Sequence, residues 1–350
     1  MRRMIDFIRE FKFGRPQQIA ALLLLAFIAI VSAFALHVSV EDPQIFGIVP
    51  AQPAIHGQIV APIWTVLTIL RLPVGLKLFL PGLAFGLSLA GALWWVTRRL
   101  YDDEGGYIAL ALFCFSVPLT LYSSRVSPDI IAAWGLYGLI YTAIGVAHTL
   151  YAPPRKWRPR ILLLGVALGV TAGAYFSAAL VGALFAVGFM VYLAPGRRKE
   201  SLGIIAIAGA IAAVFVFALY GFDARAFTAA LTAREAWAIQ LHRAAPVIPG
   251  LQWLLLGTLT LISLITYTAW KRARYFGNTV PLLVMTVLFM THHDGAQTAI
   301  WALPFVFTFI GGIFADLLET HRGKLVAWSL GGALVGYAAL AVAAVLTIPK

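Results

Sequence analysis

The sequence predicts an all-α, polytopic transmembrane helix bundle of about ten or eleven spans with its N-terminus in the cytoplasm. Three observations carry that expectation. The 350 residues are 61% hydrophobic and only 11% charged, against about 25% charged in a soluble chain. The apolar residues fall in long continuous runs. The basic residues gather in every second connection between those runs. Closed barrels would show shorter, alternating segments, so the runs read as helices, which satisfy their own backbone hydrogen bonds in lipid. Length alone would suggest two or three soluble domains. Spans of about 20 residues instead consume most of the chain, and residues 1–350 read as a single integral membrane domain.

Eleven runs qualify: 17–36, 77–98, 106–124, 128–150, 160–176, 178–195, 201–221, 248–270, 279–292, 297–318 and 325–347. The first follows basic residues and so resembles a signal peptide. It is longer than a usual signal core, and His37-Val38-Ser39 lacks a small-x-small cleavage pattern, so it reads as a retained span. The fifth and sixth runs part at Phe176-Ser177, a boundary with little polar sequence. With the N-terminus inside, 19 of the 26 basic residues fall on the cytoplasmic side, including Arg98, Arg99, Arg160, Arg197, Arg198, Lys271 and Arg272. This bias supports the span count and the orientation together. The compact, Arg-rich loops suggest a prokaryotic inner (cytoplasmic) membrane. A net charge of +12 then reflects topology rather than nucleic-acid binding. Cys114, the single cysteine, sits inside an apolar run and reads as a small buried hydrophobe.

Two extracytoplasmic segments are long enough to build something. Residues 37–76 begin rich in Pro and Gln, then become apolar from Gln58 to Leu72 around Pro62, which predicts a helix at the membrane surface. Residues 222–247 mix charge with apolar residues at roughly helical spacing, which predicts an interfacial helix. Most of the histidines and the acids Glu41, Asp42, Asp129, Asp223, Glu235 and Asp294 lie on this side.

Four groups there could carry chemistry. Glu41-Asp42 follows the first span, where a carboxylate can act as a general base; a solvated loop charge is the plainer reading. Asp129 lies in Ser127-Pro128-Asp129, where an acid is favoured by the helix dipole. It also borders a very apolar helix, where ionisable groups tend to face a cavity or a partner, and Arg125 is the nearest candidate. His292-His293-Asp294 is the third group. Adjacent histidines point about 100° apart on a helix, so a divalent metal would need loop geometry and a further ligand such as Asp294 or His56. Polar lining for an anionic headgroup is the reading preferred. Arg225, Arg234, His242 and Arg243 form the fourth group. They suit phosphate, or simply snorkel toward lipid headgroups. Walker loops, dinucleotide fingerprints, nucleophile elbows and HExxH helices are absent from the sequence. Acids in mid-span are nearly missing, which disfavours a proton-coupled transporter.

The order of these parts resembles the GT-C superfamily of membrane glycosyltransferases, notably the dolichyl-phosphate-mannose protein mannosyltransferases and the bacterial aminoarabinose transferases. Glu41-Asp42 stands where the family carries a first-loop acid, followed by Pro53-Ala54-Ile55-His56 leading into Ala61-Pro62-Ile63-Trp64. Val96-Thr97-Arg98-Arg99-Leu100-Tyr101 is similar to the basic turn after the second span. Leu121-Tyr122-Ser123-Ser124-Arg125-Val126-Ser127-Pro128-Asp129 is the nearest match. Gln297-Thr298-Ala299-Ile300-Trp301-Ala302-Leu303-Pro304 resembles a late span that runs from a polar cluster to a Leu-Pro step. Three departures stand out: a shorter first loop, Tyr175-Phe176-Ser177 in place of a common Lys-Gly-Pro turn, and no C-terminal soluble domain, as in a truncated core.

The resemblance implies transfer of a sugar from a polyprenyl-phosphate donor to an acceptor at the extracytoplasmic face. Asp42 or Glu41 would be the base. Arg125, Arg234 or Arg243 would bind the departing phosphate. Asp129 would orient Arg125 or the sugar. His56, His242, His292, His293 and Asp294 would line the substrate site. No cofactor is required by this reading, and a divalent metal is left open. Membrane lipids and other membrane subunits are expected partners; nucleic acid is not. Two other classes fit the same residues: a non-catalytic GT-C-like subunit of a larger complex, favoured by the missing Lys turn, and a lipid or small-molecule transporter.

Overall fold

A computed structural model describes residues 14–37, 58–151, 154–233, 250–291 and 295–347. Among these residues the chain forms thirteen α-helices and no strand. In chain order they are α1 (Arg15–His37), α2 (Val60–Ile69), α3 (Val74–Cys114), α4 (Val117–Ser123), α5 (Pro128–Thr149), α6 (Pro154–Ala174), α7 (Phe176–Leu193), α8 (Arg198–Leu219), α9 (Ala224–Thr232), α10 (Gly250–Ala269), α11 (Phe276–Thr291), α12 (Gly295–Leu318) and α13 (Gly323–Thr347). Eight of them are long and apolar enough to cross a membrane.

Every one of the eleven apolar runs has become helix, and the two counts differ for a physical reason. The 41 residues of α3 include two non-helical ones, Tyr101 (φ −139°) and Asp102 (φ 61°). A Cβ on Gly106 would lie 3.2 Å from the Trp94 ring, whereas twelve residues of straight helix would separate them by about 18 Å. Further out, Gly82 meets the Arg125 backbone and Gly86 meets Ser123. The chain therefore turns back at residues 101–102, and α3 holds the second span and most of the third. The remaining two runs, in α6 and α11, form shorter apolar helices.

The third run is not one helix. It breaks at Phe115-Ser116, because Pro118 has no N–H to give the preceding turn. The freed backbone groups are met by one side chain from α10. Gln252, 1% exposed, accepts from the Val117 N–H (3.2 Å) and donates to the carbonyls of Phe115 (2.9 Å) and Tyr337 (3.3 Å). Broken helices survive at membrane depth only where a neighbour re-satisfies them in this way.

Helices α5 and α12 are largely buried and form the centre of the bundle, while α8, α10 and α13 are largely exposed and lie at its periphery. The peripheral helices present residues such as Leu254, Trp328 and Leu346 outward, as a lipid-facing surface requires. Glycines set the closest approaches. Gly165, Gly169 and Gly173 of α6 face Ile211, Phe215 and Leu219 of α8, a small-residue stripe at the four-residue spacing that lets membrane helices meet.

The helix ends sort into two layers. At the end assigned to the cytoplasm, Tyr101 donates to the Gly277 carbonyl (2.5 Å), and Asn278 donates to Ala273 (3.0 Å) and Asp316 (3.1 Å). Burial, then the facing Tyr275-to-Asp316 contact, hold the Tyr275 phenol above its ordinary pKa. The three ion pairs among the described residues, Arg98–Asp103, Arg197–Glu200 and Arg272–Glu319, all lie at this end.

At the opposite end lie the described parts of the two segments expected on the extracytoplasmic side. Within residues 37–76, α2 is anchored at its start by Ile59 N–H to Gly173 C=O (3.1 Å) and leaves Val66 and Ile69 exposed. Lys77 donates to Thr68 (3.1 Å) and lies over the Trp64 ring (5.3 Å). Within residues 222–247, the described helix α9 is nine residues long. Asp223, one of the outer acids, is its N-cap, accepting from the N–H groups of Arg225 (2.8 Å) and Ala226 (3.3 Å).

Candidate functional site

The outer end of α5 is where the sequence motifs meet. Ser127 is the N-cap, accepting from the Asp129 N–H at 3.1 Å, and Pro128 begins the helix, where a missing N–H costs nothing. Asp129 thereby sits in the first turn, and it is 2% exposed. Its carboxylate accepts from the Ser127 hydroxyl at 3.2 Å. The Tyr175 hydroxyl also comes within hydrogen-bonding reach of it, and Tyr122 lies near enough to feel its charge.

Tyr175 is the extended residue (φ −148°) that separates α6 from α7, close to the boundary expected at Phe176-Ser177. Its ring packs edge-on against Trp301 of α12, with centroids 5.2 Å apart. Both rings are buried. The end of α4, the start of α5, the α6–α7 break and α12 thus converge on one carboxylate.

Arg125 lies in the connection between α4 and α5, which is clamped to α3. The Val126 N–H donates to the Leu78 carbonyl at 2.6 Å, and a side chain at Gly82 would collide with the Arg125 backbone. Half-burial draws the Arg125 guanidinium below its ordinary pKa. A partly desolvated guanidinium interacts more strongly with an anion than one in bulk water. The pairing of Arg125 with Asp129 expected from the sequence remains a proposal; the partners of the carboxylate include Ser127 and Tyr175.

Of the residues singled out from sequence, Arg125 and Asp129 are brought together at this end. Glu41, Asp42, His56, Arg234, His242, Arg243, His292, His293 and Asp294 lie outside the described residues. Among the described residues no three His, Cys, Asp or Glu side chains gather as a metal site. Sequence reasoning missed Tyr175 as a partner of Asp129. Nothing in the chain around residue 175 signals a neighbour 46 positions away.

Fold and site together define a polytopic helical membrane protein with a buried carboxylate and a half-buried arginine at one end. Among solved structures, the chain is similar in fold to those of the Archaeoglobus fulgidus oligosaccharyltransferase. Its apo crystal structure superposes with a TM-score of 0.54 at 12% identity, covering 96% of this chain and 56% of that one. The form tethered through a disulfide to an acceptor peptide containing the NVT sequon gives 0.55 at 12% identity, covering 95% and 55%. The complex with Zn and sulfate gives 0.53 at 12% identity, covering 83% and 44%. The chain therefore shares the fold of the matched part of that enzyme and spans about half its length. No protein-family profile matches the sequence, and no curated protein matches it.

Proposed function

We propose that the chain is a membrane glycosyltransferase that moves a sugar from a polyprenyl-phosphate donor to an acceptor at the extracytoplasmic face of a prokaryotic inner membrane. The observation that supports this reading is the fold shared with that oligosaccharyltransferase over nearly the whole chain, with Arg125 and Asp129 close to the start of α5. The acceptor's O–H or N–H group attacks the anomeric carbon of the donor. Its proton passes to Asp42 or Glu41. The bond from the anomeric carbon to the phosphate oxygen breaks, and polyprenyl phosphate leaves with the electron pair. Arg125, with Arg234 or Arg243, balances the charge that grows on that phosphate. Asp129, His56, His242, His292, His293 and Asp294 hold the sugar and headgroup. A divalent metal held by His292, His293, Asp294 and His56 is a variant of the same proposal. The related fold's zinc-containing crystal makes it worth testing with chelator.

The test is reconstitution of the full chain in liposomes with radiolabelled polyprenyl-phosphate sugars and candidate acceptors, peptides with an Asn-Val-Thr sequon among them. Release of polyprenyl phosphate is the readout. The Glu41→Gln/Asp42→Asn double variant is expected to lose transfer by at least about a hundredfold. Full transfer by the double variant eliminates the base assignment. A second reading, a non-catalytic subunit, is favoured by Tyr175-Phe176-Ser177 standing where the family resemblance expects a Lys turn. It predicts co-purifying membrane subunits and no release of polyprenyl phosphate by the chain alone.

A further inference from the structure

The end of the bundle opposite the candidate site holds a cavity of about 530 Å³ between the ends of α3's first span and α5 and the starts of α6 and α11. Arg99, His148 and Arg160 line it, with Trp95, Tyr141 and Phe276. Arg160 is fixed there, donating to the Gly145 carbonyl at 2.7 Å. Among the described residues no acid lines the cavity: Asp102, Asp103 and Glu104 line a neighbouring depression that shares Trp95 and Arg99 with it, and there Asp103 pairs with Arg98. At Phe276 and Val280 the basic cavity meets a second one of about 460 Å³, which runs between α7 and α11 along Leu184, Phe185, Phe189 and Leu283. That groove is mostly apolar, and its one charged residue is another cation, Arg274.

We propose that this composite cavity binds an anionic glycerophospholipid of the cytoplasmic leaflet. Its phosphate sits between Arg99 and Arg160, and one acyl chain lies along the α7–α11 groove. Charge and shape argue for a lipid rather than a soluble phosphate. Basic pockets between membrane helices on the cytoplasmic side suit anionic headgroups. A soluble anion would leave the adjoining apolar groove unfilled. The exposed Trp95 indole at the rim fits the headgroup level, where amphipathic rings are favoured. The site is separate from the glycosyl-transfer reading and does not depend on it.

Native mass spectrometry of the detergent-purified full chain tests this with dioleoyl phosphatidylglycerol and dioleoyl phosphatidylethanolamine. One phosphatidylglycerol is expected to survive delipidation. The Arg99→Gln/Arg160→Gln variant should hold it about thirtyfold more weakly, from the loss of two charges near the headgroup. Arg198→Gln/Lys199→Gln, on the same face outside the cavity, should hold it as the unaltered chain does. Gly188→Leu keeps every cation and fills groove space, since a Cβ there meets nothing within 4 Å; it should also release the lipid. Equal retention of the two lipids overturns the proposal, as does equal loss in the two charge variants. Displacement of the lipid by glycerol 1-phosphate at equal concentration also overturns it, because the acyl chain would then contribute nothing.

Discussion

Asp129 has two explanations that a single substitution separates. As an acid in the first turn of α5, it interacts favourably with the helix dipole, by about 1 kcal/mol and up to about 2 when partly buried. As a buried carboxylate held by Ser127 and Tyr175, it can also fix a sugar or a guanidinium in place. Asp129→Asn keeps the shape and removes the charge. The Ser127 cap on the Asp129 N–H survives, because the backbone supplies that donor. Thermal unfolding is therefore expected to shift by only a few degrees. Transfer should fall about a hundredfold, in kcat rather than KM, since misplacing a reacting group by about 1 Å costs that much. A purely structural Asp129 would leave transfer within a few-fold.

At the scale of elements, α10 depends on one amide. Gln252 closes the break between α3 and α4 inside the bilayer. Gln252→Leu would leave the Val117 N–H and the Phe115 C=O without that partner. Each buried unsatisfied group costs about 1–3 kcal/mol, so a total of about 2–6 kcal/mol is expected for the two. It would be read as a lower unfolding temperature and a poorer detergent-extracted yield. Gln252→Glu at low pH keeps both a donor and an acceptor and should recover part of the loss. A Gln252→Leu protein as stable as the unaltered chain would mean that another group serves the break. The glycine contacts follow the same logic. Gly82 has no Cβ because the Arg125 backbone, and not a flexible side chain, occupies that space. The close fit of α3 to the α4–α5 connection is what sets the position of Arg125.

For the whole molecule, the eleven-span topology expected from the sequence makes a labelling prediction. Cys114 is buried and can be removed as Cys114→Ala. On that background Lys199→Cys, at the start of α8, should react with a membrane-impermeant maleimide only after the cells are permeabilised. Arg225→Cys, at the start of α9, should react in intact cells. The reverse pattern would invert every assignment of loops to sides, and with it the placement of the donor site. Labelling of both in intact cells would remove a span between them.

What the sequence by itself determined is the set of helices, because burial in lipid is a local property; the orientation it predicts rests on charge asymmetry, which is local too. Continuous apolar runs and clustered arginines need no knowledge of which helices touch. Even the α6–α7 break was legible within a residue or two, at Tyr175. The Ser127-Pro128-Asp129 start of α5 was legible for the same reason, since capping chemistry lies within three adjacent residues. The lone Gln252 in an apolar run carried a faint signal, as polar groups at membrane depth usually have a partner. Its partners at Phe115, Val117 and Tyr337 are more than 80 positions away in each direction. Only the tertiary structure decided which polar groups share a site. It brought Tyr175 and Trp301 to Asp129, and Arg160 and Phe276 to Arg99, because helix packing joins residues that no spacing along the chain relates.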